Sequence, residues 1–492
     1  MERGADAGLR GVASRHLGQD AIELIGVHHR NGGAGETATG HPSADDAACG
    51  LGDDHDVGVR GGRGAEQASG GDLVDGRGSA PRRDRAPGIG RGGGARAGTL
   101  GAMIDGTVAV GFEHVRATFE RGFAERDELG AAVSVIVDGE SVVDLWGGHR
   151  DVAGTAPWTD DTLVNVWSTT KGMVTICAHR LAQDGLLDLD RPIAEYWPEF
   201  AAAGKGHIPV RWLLSHRAGM AAWRSPVRSR DLYEWDGVTA LLAAQAPWWE
   251  PGTASGYHAV TYGFLVGEVL RRVSGASVGE LIDELIATPL GIDLHVGLDE
   301  RHHDRVAELV LEDATGSVAP SERPSELVVA TFSNPRLGPK AAVSPEWRRA
   351  EIPAVNGHAT ASAIAAMYAA LVTANTSERL LDDQRVEELR RPEEPGRDLN
   401  LGTAADAPMQ WAQGVQLNHD GSHGPNPRSF RHGGWGGSLG FADPEARIGF
   451  GYVMNRMNVS LLGDTRARRL VLATYQCLGE ATGAGRASTI AQ

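Results

Sequence analysis

A serine and a lysine stand three residues apart in Ser168-Thr169-Thr170-Lys171, directly before an apolar-periodic stretch. That spacing puts hydroxyl and amine one turn apart on the same helix face. An amine so placed can take the serine proton, making a nucleophile without a histidine–aspartate pair. The helix predicted over 168–184 carries Met173, Val174, Ile176, Cys177 and Leu181 inward and ends at Gly185. A serine at its N-terminus meets backbone N–H groups and the positive dipole end, which favour developing negative charge. Lys171, buried one turn along, is expected to be held neutral by desolvation and to act as a base. Taken alone, the tetrapeptide is better read as an N-cap serine with a surface lysine. Two further features, in chain order, narrow that reading.

The first is Tyr257, delivered by the glycine-bracketed stretch Pro251-Gly252-Thr253-Ala254-Ser255-Gly256-Tyr257 just before an apolar helix. Its phenol can relay a proton between serine, lysine and leaving group, although a lone tyrosine more often fills a core corner. The second is Arg431-His432-Gly433-Gly434-Trp435-Gly436-Gly437-Ser438. Glycines along a strand leave its backbone open to a ligand. Such a strand beside the nucleophile supplies a second oxyanion N–H, from Trp435, alongside that of Ser168. The bland alternative is a glycine-rich turn with a satisfied histidine.

The elements that must position these groups are legible in outline. Phe112, Val115, Phe119 and Phe123 recur at helical spacing, predicting an amphipathic helix over 108–127. Two apolar runs, Ala131–Val137 and Val142–Trp146, flank Asp138-Gly139 and predict a β-hairpin. Ser438–Ala442 and Ile448–Met454 read as further strands around an Asp443-Pro444-Glu445 turn, followed by a terminal helix capped at Asp464. Between the ends the pattern is helical. Tyr262 to Val273 trace one face that stops at Gly275, Ser277-Val278-Gly279-Glu280 is a capping box, and Thr360 opens a helix over 361–372. The expected fold class is α+β: an antiparallel sheet built from both chain ends and flanked by N- and C-terminal helices. A largely helical region is inserted in it. Residues 103–480 form the domain, with sheet from about 103–167 and 428–480, the helical region at about 168–427, and a flexible tail at 481–492.

In order and combination these stretches resemble the serine β-lactamase and penicillin-binding-protein superfamily. The branch is the class C-like one that includes family VIII carboxylesterases, and the resemblance spans about 103–480. It rests on Ser168–Lys171, Leu187-Asp188-Leu189-Asp190, Leu213-Leu214-Ser215-His216-Arg217-Ala218-Gly219, the Pro251-Gly252-Thr253 approach to Tyr257, and His432-Gly433-Gly434. It implies that Ser168 is acylated while Lys171 and Tyr257 handle the protons, with Ser168, His432, Gly433, Gly434 and Trp435 around the oxyanion and substrate. Two positions depart from the superfamily's pattern. A Tyr-x-Asn motif has Ala259 in its third place, and a motif that opens with lysine here opens with His432. The second change removes a fixed positive charge for a substrate carboxylate. The implied activity is therefore hydrolysis of small uncharged carboxylic esters through an acyl-enzyme. A β-lactamase, a D-amino-acid (DD-)peptidase and an acyltransferase stand as alternatives, the first two favoured only if another cation such as Arg431 substitutes. A non-catalytic module has no reason to keep all three of Ser168, Lys171 and Tyr257.

Composition bounds the rest. Residues 1–102 contain no Phe, Trp or Tyr and are about a quarter glycine, too little apolar area to offset ordering. They are expected to be disordered, with Met103 a plausible start. Their histidines (His16, His28, His29, His41, His55) lack metal-ligand spacing. A net charge of −17 disfavours nucleic acid. No apolar stretch is long enough to span a bilayer. Three dispersed cysteines, Cys49, Cys177 and Cys477, fit a reduced, cytoplasmic setting. No metal or organic cofactor is implied, and the expected partner is a small-molecule ester.

Gly436-Gly437-Ser438-Leu439-Gly440 matches a nucleophile-elbow pattern, but strand rather than helix follows it and no histidine occurs after His432. Ser438 is therefore not expected to be the nucleophile. His216 and His358 are expected in a loop and a helix cap, and His302-His303-Asp304 in a solvated loop.

Overall fold

In a computed structural model, the described residues are 104–125, 127–311, 324–375, 379–393, 397–402, 409–461 and 464–490, with side chains through 479. The expectation of disorder for 1–102 falls outside them. The sheet has seven antiparallel strands: β1 (Ile104–Val108), β2 (Gly130–Val137), β3 (Glu140–Gly148), β4 (Gln416–Leu417), β5 (Phe430–Gly433), β6 (Leu439–Asp443) and β7 (Ile448–Met454). Their spatial order is β1-β3-β2-β7-β6-β5-β4, so the two chain ends meet where β2 pairs β7. The β2–β3 hairpin turns through Asp138 (φ 50°) and Gly139 (φ 86°), the two successive positive-φ positions that an Asp-Gly pair accommodates.

Strand β1 is a departure from the expected helix over 108–127. The helix α1 begins only at Glu113, and Ile104–Val108 pairs with β3 at the sheet edge. Five residues containing Asp105 and Gly106 carry too little β signal to be read alone. Helices α2 (Thr170–Gln183), α3 (Thr261–Ser274), α4 (Ala361–Ala369) and α5 (Thr465–Ile490) follow. Gly275 ends α3 in the left-handed conformation (φ 79°), and the Thr360 hydroxyl accepts the Ala363 N–H at the start of α4.

Side chains alternate across a strand, and this divides the sheet into two faces. On one face α4 lies almost on the backbone of β7. A Cβ at Gly451 would stand 2.1 Å from the Ala361 carbonyl oxygen, and one at Gly449 would stand 2.4 Å from the Ala369 nitrogen. On the other face Phe441 of β6 meets Tyr475 of α5, and α5 packs beside α1. Because backbone atoms rather than flexible side chains oppose it, Gly451→Ala is expected to cost about 1–3 kcal/mol. Thermal unfolding checks this, and the melting temperature should fall by several degrees.

The inserted helical region buries α2 almost wholly: of its 14 residues, only Arg180 and Gln183 are not buried. Its first turn thus leaves the solvent and faces the end of the sheet where β5 and β6 emerge. Among the described residues no helix is long and apolar enough to cross a membrane.

Candidate active site

Ser168 sits two residues ahead of the first α-helical residue, Thr170, not on the helix itself as its spacing suggests. Trp167 takes a left-handed φ of 46°, unusual for a bulky side chain and a mark of local strain. A tight turn follows, with Thr170 N–H donating to the Trp167 carbonyl and Lys171 N–H to the Ser168 carbonyl, each at 3.0 Å. The Thr170 hydroxyl donates to the same Trp167 carbonyl at 2.5 Å. Thr169, Thr170 and Lys171 are buried while Ser168 remains half-buried, so the hydroxyl alone is presented outward.

Lys171 Nζ is 0% exposed and has three oxygen neighbours: Ser168 Oγ at 3.0 Å, the Ala259 carbonyl at 2.7 Å and the Ala354 carbonyl at 3.0 Å. Carbonyl oxygens only accept, so each must receive an N–H. The remaining tetrahedral position points at Ser168, and in the neutral amine that position is the lone pair. Burial holds the amine well below its ordinary value. Ala259 thus meets the amine through its backbone carbonyl.

Tyr257 lies beside both Ser168 and Lys171. Its ring stands 4.9 Å from Lys171 Nζ and stacks on Trp411 at 5.7 Å and 8°. Burial pushes its phenol up, and the neighbouring Ser168 hydroxyl pulls it partly back. His216 and His258 pin the loop. The Gly256 N–H donates to the His216 carbonyl, the His258 N–H donates to His216 Nδ1 at 3.2 Å, and His258 Nε2 accepts the Met220 N–H. Both imidazoles are pushed down by burial, His258 to about 3, so both are neutral spacers. His216 is the expected loop residue, at φ 60°. His358 is not a helix cap; it lies on the short strand His358–Ala359, and Thr360 does the capping. His302 and His303 fall on a short 3-10 helix, Glu300–Arg305.

The third wall is β5 and its continuation. The Ser438 hydroxyl donates to the Val166 carbonyl at 2.8 Å and lies 3.0 Å from the Thr169 hydroxyl. This ties the glycine-rich strand to the serine turn and makes Ser438 a buried brace. The approach requires Gly434, where a Cβ would stand 2.2 Å from both Ser438 Oγ and the Val166 carbonyl. The rings of Trp435 and Trp167 then meet edge-on at 5.0 Å. Among the described residues, neither the Ser168 N–H nor the Trp435 N–H donates to any group.

Behind the strand, Arg466 at the start of α5 holds the loop in place. It donates to the Gly436 carbonyl at 3.0 Å and pairs with Asp464 at 2.6 Å and Glu128 at 3.0 Å. His432 is 4% exposed and burial drives it to about 3, leaving a neutral ring. Arg431 is committed elsewhere, to Gln416, Ser422 and His423, and is buried.

Sequence reasoning missed Trp411 and Asp398. The Asp398-Leu399-Asn400 turn has a local signature, since Asp398 Oδ1 accepts the Asn400 N–H two residues on. Nothing local links it to Tyr257.

The chain is similar to known proteins over most of its described length. The β-lactamase family model matches residues 115–473. The esterase/β-lactamase LipL of Mycobacterium tuberculosis is 36% identical over 360 residues, 70% of this chain and 81% of that protein. A family VIII carboxylesterase of known structure is 42% identical with a TM-score of 0.71, covering 76% of this chain and 100% of that one. A penicillin-binding-protein homologue from Caulobacter crescentus is 39% identical with a TM-score of 0.70, over the same shares. With the match extending across nearly all of the described fold, the chain belongs to the β-lactamase family.

Proposed function

We propose that this chain is a carboxylesterase-type serine hydrolase acting on small uncharged esters through a Ser168 acyl-enzyme. The observation that carries the mechanism is the free tetrahedral position of Lys171 Nζ aimed at Ser168 Oγ. As Ser168 Oγ bonds to the ester carbonyl carbon, its proton passes to that lone pair. The negative charge on the former carbonyl oxygen is met by the Ser168 and Trp435 N–H groups. Collapse breaks the bond to the alcohol oxygen, which takes a proton through Tyr257. Water then attacks the acyl group, loses its proton along the same route, and releases the acid with Ser168 restored.

The neutral His432 on this wall supports an uncharged substrate. A β-lactam or a peptide C-terminus brings a carboxylate that this wall does not neutralise. The dispersed cysteines, with Cys177 buried in α2, support a cytoplasmic setting.

The test is turnover of a short-chain nitrophenyl ester and a chromogenic cephalosporin side by side. Ester cleavage should dominate. Faster cephalosporin cleavage overturns the substrate assignment. Restoring a cation with His432→Lys is expected to raise kcat/KM for a carboxylate-bearing ester about tenfold relative to its uncharged analogue; an unchanged ratio counts against His432 as the reason.

A further inference from the structure

Asp398 is 1% exposed, and its carboxylate gathers four N–H groups. Oδ1 accepts from the backbone of Tyr257 at 3.0 Å, of Asn400 at 2.9 Å and of Leu401 at 3.0 Å, while Oδ2 accepts the Trp411 indole N–H at 3.0 Å. Asn400 reinforces the contact by donating its side-chain amide to the Tyr257 carbonyl at 2.8 Å. One carboxylate therefore grips both the backbone that carries Tyr257 and the indole on which the Tyr257 ring is stacked. Charge-assisted bonds of this kind are stronger than neutral ones, and a buried carboxylate gains most from having every lone pair used.

We propose that Asp398 is a positioning residue for the acid–base step: it sets where the Tyr257 hydroxyl lies relative to Ser168 without touching the substrate. The proposal rests on the role given to Tyr257 above. Its negative charge also opposes formation of a phenolate beside it, which keeps Tyr257 in the protonated form that serves a departing alcohol.

Asp398→Asn isolates this role. The amide oxygen can still accept the three backbone N–H groups, but an NH2 then faces the Trp411 N–H, donor against donor. Trp411→Phe removes the same bond while keeping an aromatic platform, and serves if the first variant does not fold. Each is expected to lower kcat about tenfold on a nitrophenyl ester with KM changed less than twofold. The deciding measurement is a double-mutant cycle with Tyr257→Phe. If Asp398 acts through Tyr257, Asp398→Asn in the Tyr257→Phe protein should change kcat less than twofold. An equal loss in both backgrounds would show a general structural role and overturn the proposal. A Tyr257→Phe protein that keeps full activity would instead remove the role of Tyr257, and the proposal with it.

Discussion

Ser168→Ala is expected to lower ester kcat/KM by roughly 10⁵-fold, because removing a nucleophile eliminates the covalent route and leaves only binding and the oxyanion donors. The fold should be untouched. Ser168 is half-buried, and its hydroxyl meets Lys171 Nζ and the Tyr257 phenol, both within the site. Circular dichroism and melting should match the parent. Mass spectrometry after a fluorophosphonate should find the label on the peptide containing Ser168 and none in the variant. Ester activity surviving in Ser168→Ala would point to another nucleophile. Ser438 is the weaker candidate for that, because its hydroxyl is already given to the Val166 carbonyl.

Lys171→Met should cost about 10²–10⁴-fold in kcat/KM, the range for a lost general base. It removes the amine while filling much of the same volume. Two effects on pH follow from the depressed amine. In the parent, activity rises with pH as Lys171 loses its proton, so the acid limb of kcat/KM belongs to this residue and should vanish from whatever activity the variant keeps. For stability, the folded value lies below the unfolded value near 10.5, so the unfolded chain binds more protons between the two. Stability from this group therefore rises with pH across that window and is reduced below it. Urea unfolding of the parent from pH 6 to 9 should carry this positive slope, and Lys171→Met should flatten it. An unchanged slope would mean that Lys171 is charged in the folded protein. A buried ammonium would then be standing among carbonyls, and the base assignment would fall.

The local elements were legible because short-range rules govern them. Asp138-Gly139 specifies its hairpin turn, Gly275 ends α3, and Ser277 with Glu280 forms the reciprocal cap, all as their residue types require. Strand β1 escaped because its stability comes from pairing with β3 and not from its own five residues. His358 was misplaced for a similar reason: two short partners, Val164–Asn165 and Leu294–His295, make it a strand residue.

For the site, the sequence by itself determined which groups are proposed to do chemistry: Ser168, Lys171 and Tyr257, with the glycines that let β5 approach and a histidine in place of a cation at His432. Residue type and spacing carry those facts, because a nucleophile, a base and an open backbone are properties of single residues and their near neighbours. Only the tertiary structure decided how the amine is buried and which way its lone pair points. Two backbone carbonyls, from Ala259 and Ala354, lie 88 and 183 residues from Lys171, and any residue type could present them. Backbone groups leave no mark in a sequence. The Asp398 clamp on Tyr257 and Trp411, across 141 and 13 residues, is likewise a product of chain crossing, where burial turns an ordinary turn aspartate into the anchor of a distant phenol.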